Sequence, residues 1–254
     1  MEKEKTKKKM AGSCARTEIL LGQQGLARLA ESHVLIAGLG GVGGACTEAL
    51  CRAGVGTLTL VDFDIVSKTD LNRQLIALNS TLDLPKVDVL TDRLHDINPD
   101  TIVIKRNEFI DRDKAQAIAT EDGLDFVADC IDAIACKTAL INSCNKSGKP
   151  IISSMGAGGR LDPTKVKISR MDKTENCALA REMRKQLRRI QASLNFPVVH
   201  STEIPIKALP HQEITAIDTA PSGRPRAVNG AISYMPNIFG LMMAGHIIQT
   251  LLKS

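Results

Sequence analysis

Along the first 155 residues, short apolar runs alternate with stretches whose apolar residues recur at helical spacing. The run HVLIA at 33–37 ends in glycines and predicts a strand, and 41–53, with Ala, Cys and Leu turned inward, predicts the helix after it. The same reading gives strands at 57–61, 101–105, 126–130 and 150–154, and helices at 86–97, around 114–119 and at 135–147. Pro85 and Pro99 bracket the 86–97 helix, at the positions where proline starts or stops one. Such alternation implies a parallel sheet with helices on both faces, so the predicted fold class is α/β: a doubly wound, Rossmann-like, mostly parallel sheet. After residue 154 the pattern loosens. A strand at 166–169, a helix near 178–189, a strand at 198–202, a Pro- and Gly-rich loop at 210–226 and a final helix at 236–252 read as a smaller C-terminal α+β extension of the same compact domain.

The longest apolar stretch, 238–252, is interrupted by Gly240, Gly245, His246 and Gln249, short of the roughly 20 residues a bilayer requires, so no membrane span or membrane partner is expected. With 43% hydrophobic and 24% charged residues among 254, disorder as the main state is excluded. The net charge of +5 is unevenly spread: residues 1–10 hold five Lys and two Glu, and 1–12 is read as a basic, disordered tail. Residues 181–189 (REMRKQLRR) hold five basic residues and one acid, which reads either as a nucleic-acid face or as a solvated helix surface. Seven cysteines are scattered without a CxxC pair, and no apolar signal precedes the domain, so a reducing, cytoplasmic setting and no zinc are expected. Five Phe, one Tyr and no Trp leave little for base stacking, so any RNA contact should be electrostatic and shape-based.

The stretch Gly38-Leu39-Gly40-Gly41-Val42-Gly43 joins the first strand to the first helix of this alternation. Glycines there permit positive φ and close backbone approach, and amides at the helix start can face a phosphate. Asp62, about twenty residues on, ends the next strand, where a carboxylate reaches a ribose hydroxyl. Together these favour a bound nucleotide over a purely structural turn. Asp64, Asn72, Arg73, Gln74 and Lys86 follow closely, a set rich in phosphate and ribose partners beyond what a nicotinamide site needs. Arg and Lys can neutralise a triphosphate as adenylation proceeds. Asp132, just past the fourth strand, lies at the carboxyl edge, where an acid can hold Mg²⁺ on phosphate oxygens; the alternative makes Asp129 and Asp132 turn residues.

In order and spacing, GLGGVGG, LVDFDIV, DLNRQ, the Pro85-Lys86 helix start and CIDAI resemble the ubiquitin-activating-enzyme-like family of adenylating enzymes, over roughly residues 16–154. The resemblance implies a homodimer that uses ATP and Mg²⁺, with Gly38, Gly40, Gly41, Gly43, Asp62, Asp64, Asn72, Arg73, Gln74, Lys86, Ile131 and Asp132 around the nucleotide and Asp132 on the metal. It assigns the chemistry to Arg73, Lys86 and Asp132, joined by Arg16, in RTEILLG, reaching the triphosphate of the opposite subunit. Asp70 stands where the family often has Asn. On this reading 13–155 is the ATP-binding adenylation region and 156–254 binds substrate and supports the dimer.

RTEILLG, GAGGRLDPTKVKISRMDKT, VVHSTE and NGAISYMPNIFGLMMAG look like the branch of that family that dehydrates threonylcarbamoyladenosine beside the tRNA anticodon. That implies adenylation of the modification's carboxylate, then attack by a nitrogen or oxygen of the same side chain, for which high effective molarity replaces a protein nucleophile. The alternative is adenylation of the C-terminal glycine of a sulfur-carrier or ubiquitin-like protein, with a cysteine-desulfurase system as partner; the missing CxxC pairs argue against it. A nucleotide-holding scaffold without turnover and a nicotinamide dehydrogenase are more distant rivals, and a monovalent cation is a further cofactor candidate.

Arg181, Arg184, Lys185, Arg188 and Arg189 are expected to meet the tRNA backbone. Cys177, close in sequence to Lys173, Arg181 and Arg184, is where a carrier-activating enzyme could keep a thioester-forming thiol. Cys46, Cys51, Cys130 and Cys144 read as packed core residues. Glu203 either faces the substrate carboxylate or ends a strand, and His200 and His211, without metal-ligand spacing, read as structural or surface residues.

Overall fold

The computed structural model describes residues 14–207, 209 and 230–253; the basic tail 1–12 and the loop 210–226, with His211 in it, lie outside the described residues. Seven strands form one sheet: β1 (His33–Ala37), β2 (Thr57–Asp62), β3 (Ile102–Asn107), β4 (Phe126–Asp129), β5 (Ile151–Ser154), β6 (Val166–Arg170) and β7 (Pro197–Ser201). Their order is β3-β2-β1-β4-β5-β7-β6, parallel throughout except for the antiparallel β6–β7 pair. Val34 pairs with both Leu58 and Phe126, so β1 lies between β2 and β4. The chain winds outward in one direction from β1 to β3 and in the other from β4, which opens a crevice at the carboxyl ends of β1 and β4.

The helices are α1 (Ala15–Glu31), α2 (Gly41–Ala53), α3 (Lys86–Ile97), α4 (Arg112–Ala119), α5 (Ile134–Ser147), α6 (Ala178–Arg189) and α7 (Tyr234–Leu251). Successive side chains of β1 point to opposite faces, and both faces are covered. Val34 and Ile36 join the core packed by α2, α3 and α7, while Leu35 and Ala37 join the one packed by α4, α5 and α6. The doubly wound α/β expectation is met, with element limits differing by one or two residues. β7 and β6 continue the main sheet beyond β5.

The largest departure from the sequence reading is α1, which the apolar pattern shows only as a short lead-in. It is broken at Gly22 (φ 69°), leaves Ile19 and Leu20 87% and 83% exposed, and fully buries only Leu29, so it carries no apolar stripe.

Helix α7 is apolar nearly all round and packs on α2 through Gly240, where a Cβ would lie 2.2 Å from the Val42 carbonyl oxygen and 2.9 Å from the Ala45 Cβ. Gly240→Ala is expected to destabilise the protein by about 2–3 kcal/mol and lower Tm by several degrees. Gly245→Ala, one turn on and facing open space, should stabilise it by about 0.5–1 kcal/mol. Calorimetry on the two variants checks this, and equal shifts would show that the α2–α7 contact is not the constraint.

Candidate functional site

The glycine turn sits at the crevice between β1 and β4. Gly38 adopts φ 90°, and a Cβ there would meet the Cys130 carbonyl oxygen at 2.9 Å. A Cβ on Gly43 would lie 1.8 Å from the Gly38 carbonyl oxygen, so only glycine lets α2 start this close to β1. At the end of β2, Asp62 Oδ2 accepts the Leu39 amide at 2.6 Å and Oδ1 accepts the Asp64 amide at 2.9 Å. Burial pushes the Asp62 carboxyl above its ordinary value, against the pull of the nearby Lys86 charge and the two amides. Asp62 therefore holds the turn itself.

Asp70 is the hub of the next layer. Its carboxylate accepts from the Gln74 amide nitrogen (2.6 Å), the Ser67 amide (3.1 Å) and the Ser67 hydroxyl (3.1 Å). It also lies 3.8 Å from the buried Lys86 ammonium and 3.6 Å from the Arg73 guanidinium. Lys86 donates to Asp64 at 3.1 Å, and Arg73 donates to the Thr69 carbonyl and to Asn72 Oδ1. Gln74 comes within 3.7 Å of where a Cβ on Gly40 would be, and the Arg73 carbonyl accepts from Asn237 on α7. The structure thus joins Gly38 through Gly43, Asp62, Asp64, Asn72, Arg73, Gln74 and Lys86 in one continuous network at the carboxyl edge. Asp70, noticed in the sequence only as a departure from the family pattern, ties both cations to the turn.

Ile131 and Asp132 lie just past β4, held by a fully buried group. Lys137 donates to Asp129 Oδ2 (2.7 Å) and Ser153 Oγ (3.0 Å), Ser153 donates to the same Asp129 oxygen (2.5 Å), and Asp129 Oδ1 accepts the Ile131 amide (3.2 Å). All three side chains are inaccessible. Asp129 is therefore a buried anchor of the turn, and Asp132 is exposed at its tip. Sequence reasoning passed over Lys137, Asn237 and Gly240; for Lys137 the available signal was a lone charge on an apolar helix.

Arg16 is exposed on α1 and takes no part in this network. On α6, Ala180, Met183 and Leu187 face the core, while Arg181, Lys185, Arg188 and Arg189 are exposed. Arg184 is half-buried and donates to the Thr174 carbonyl and hydroxyl, so part of its donor set is spent on the fold. Cys177 is buried, caps α6 by accepting the Ala180 amide at 3.4 Å, and packs near Gly156. Its sulfur is thereby engaged at the start of the helix. Glu203 accepts the Leu161 and Asp162 amides and so fastens the loop after Arg160. His200 is buried and hydrogen-bonds Ser169, a structural role. Cys46 and Cys144 are buried and pushed up to about 12 by burial, Cys51 is buried too, and burial raises Cys130 well above the ordinary thiol value.

A doubly wound sheet whose switch point carries a glycine turn, an acid at the end of the next strand and two buried or half-buried cations defines a nucleotide-binding α/β protein. More narrowly, the chain belongs to the ThiF family, whose model matches residues 14–254. It is 38% identical over 240 residues to the tRNA threonylcarbamoyladenosine dehydratase of Bacillus subtilis (strain 168), covering 94% of each chain. The crystal structure of Escherichia coli tRNA N6-threonylcarbamoyladenosine dehydratase in complex with ATP superposes with a TM-score of 0.83 at 30% identity, covering 96% of this chain and 95% of that one. The molybdopterin-synthase adenylyltransferase of Escherichia coli (strain K12) is 40% identical over 134 residues, 53% of this chain and 52% of its own length.

Removing Lys137 tests the anchor of the β4 turn. Lys137→Met leaves Asp129 buried without its cation and is expected to cost about 3–5 kcal/mol in urea unfolding. The double variant Lys137→Met/Asp129→Asn should recover part of that loss; a double variant no more stable than the single one would remove the ion pair as the reason.

Proposed function

We propose that this chain is an ATP-dependent tRNA threonylcarbamoyladenosine dehydratase. The observation that carries this reading is the extent of likeness: the dehydratase relative covers 94% of both chains, whereas the molybdopterin-synthase adenylyltransferase covers 53% of this one. The carboxyl-edge network supports ATP as the co-substrate, in keeping with the ATP held by the structural relative. Amides at the start of α2 face the phosphates, Asp62 meets the ribose, and Lys86 and Arg73 offset charge as it builds on the α-phosphate. The exposed carboxylate of Asp132 suits Mg²⁺, which takes one or two protein carboxylates and otherwise phosphate oxygens and water; the ion's contribution is to draw charge off the phosphates.

In the reaction, the substrate carboxylate attacks the α-phosphorus and pyrophosphate leaves. A nitrogen or oxygen of the same side chain then attacks the activated carbonyl and AMP departs, so the nucleoside loses one water. Lys86 and Arg73 stabilise the phosphoryl transfer, and no protein nucleophile is needed for the ring closure. The buried, helix-capping Cys177 fits this better than a thioester route. The exposed residues of α6 are the proposed contacts for the tRNA backbone, with Arg184 in a minor part. Exposed Ile19 and Leu20 beside Arg16 on α1 support a homodimer in which Arg16 reaches the neighbouring triphosphate. Among the described residues no helix is long and apolar enough to cross a membrane, and we place the enzyme in the cytoplasm with its tRNA.

Incubation with ATP, Mg²⁺ and tRNA bearing threonylcarbamoyladenosine, followed by mild neutral digestion and mass measurement, should show loss of one water from that nucleoside. Arg73→Ala and Asp132→Ala should each slow the reaction by about 10²-fold or more. An unchanged mass, with AMP formed only when a small carrier protein is supplied, would overturn the reading in favour of carrier activation.

A further inference from the structure

Besides its histidines the chain has few rings, five Phe and one Tyr. Phe126, Phe196 and Phe239 are buried, while Phe63 and Phe109, just past β2 and β3, pack edge to face with centroids 5.2 Å apart. Tyr234 is left 39% exposed and without a ring partner among the described residues. It is nevertheless held at both ends. Its backbone is the first residue of α7, and its hydroxyl donates to the Leu161 carbonyl at 2.7 Å. Glu203 fastens the Leu161 amide, so the acceptor is itself fixed. A ring whose polar end is spent inside the protein, and whose orientation is thereby set, offers apolar surface at little cost in ordering.

The residues on either side of Tyr234 are tied to the edge proposed for the nucleotide. The Ala231 carbonyl accepts from the Asn72 side chain at 2.9 Å, Asn237 donates to the Arg73 carbonyl at 3.2 Å, and a Cβ on Gly41 would meet Pro236 at 2.9 Å. The same segment is bonded to the loop after β5, through the Gly159 amide to the Gly230 carbonyl at 2.8 Å and through Tyr234 itself. Tyr234 therefore stands where the start of α7 bridges the turn that holds Arg73 and the loop that follows β5. Leu161, whose carbonyl it bonds, and Ile232, two residues before it, are exposed as well. Adenylation of a group carried on a base requires that base beside the α-phosphate, and a base that has left its stack needs a replacement stacking partner. Phe63 and Phe109 already pack on each other, and Phe63 directly follows Asp62, on the side where the nucleotide's own ribose is proposed.

We propose that Tyr234 is the stacking platform for the base that carries the reacting carboxylate, an adenine drawn out of the RNA beside Arg73. The proposal rests on the tRNA reading and adds to it the residue that receives the base. Because the chain has one Tyr and no Trp, the protein's tyrosine emission reports on this ring alone. Titrating the wild type, without ATP, with the free threonylcarbamoyladenosine nucleoside should quench that emission saturably after correction for absorbance, and ATP alone should not. With modified tRNA, Tyr234→Leu should raise KM for tRNA by about tenfold with KM for ATP unmoved. Tyr234→Phe, which keeps the ring and loses the hydroxyl, should recover most of that loss. Quenching by ATP alone, or a rise in KM for ATP, would set the ring against the nucleotide, and emission that changes on dilution of the protein alone would assign it to a contact between copies; each of these overturns the proposal. A Tyr234→Leu variant that lowers kcat with KM for tRNA unchanged would mean that the ring only braces α7 against Leu161, and overturns it too. If the wild type dehydrates modified tRNA while neither the emission nor the KM of Tyr234→Leu moves, the platform fails and the enzymatic reading stands. If the wild type dehydrates nothing, the enzymatic reading fails, and quenching by the nucleoside still decides the platform. Should Tyr234→Leu fail to fold, the wild-type titration carries the test.

Discussion

The contact between the Gly38 carbonyl and Gly43, where a Cβ would sit 1.8 Å from the oxygen, is the constraint around which this molecule is arranged. It sets the distance between the end of β1 and the start of α2, and so aims the first amides of α2 into the crevice. Two further close approaches extend the same junction. A Cβ on Gly41 would lie 2.9 Å from Pro236, and one on Gly240 would lie 2.2 Å from the Val42 carbonyl oxygen. The last helix in the sequence is thereby pressed against the turn near the first strand, and Asn237 bonds the Arg73 carbonyl across it. The C-terminal half is thus part of the wall behind the nucleotide turn, which fits a family match that runs from residue 14 to 254.

Around that turn the electrostatics are paired before any ligand arrives. Lys86 is buried yet faces Asp64 and Asp70, and Arg73 is drawn to Asp70. These bonds hold long, rotamer-rich side chains in one orientation. The Asp129–Lys137–Ser153 group does the same for the β4 turn, with no accessible surface at all. Its energy lies less in net stability than in the penalty for breaking it, because either charge left alone would be buried without a partner.

How much of this could be read in the sequence depended on the reach of the interaction. β1, β2 and β4 were legible because short apolar runs ending in glycine or acid have few other solutions. Asp62 and Lys86 could be placed at the carboxyl edge because each sits at an element boundary, and Arg73 because it falls in the DLNRQ motif. α1 was not, since Gly22 interrupts it and its apolar residues do not fall on one face. Lys137 and Arg160 were missed for the opposite reason: an isolated charge in the sequence gives no sign of whether it will meet a carboxylate, as Lys137 does, or a backbone carbonyl alone, as Arg160 does. Cys177 looked chemically suggestive among basic neighbours, and only the packing against Gly156 shows its sulfur turned to capping.

The carboxylates of Asp64 and Asp70 have a bearing on turnover that their role as anchors does not suggest. On the proposed reading, a triphosphate entering this edge would compete with them for Lys86 and Arg73, so part of its attraction would go into displacing ties already present. As pyrophosphate and AMP then left, those same carboxylates would reclaim the cations, and no uncompensated positive charge would hold the products back. An edge that carries its own counter-ions is thereby disposed to release what it has made.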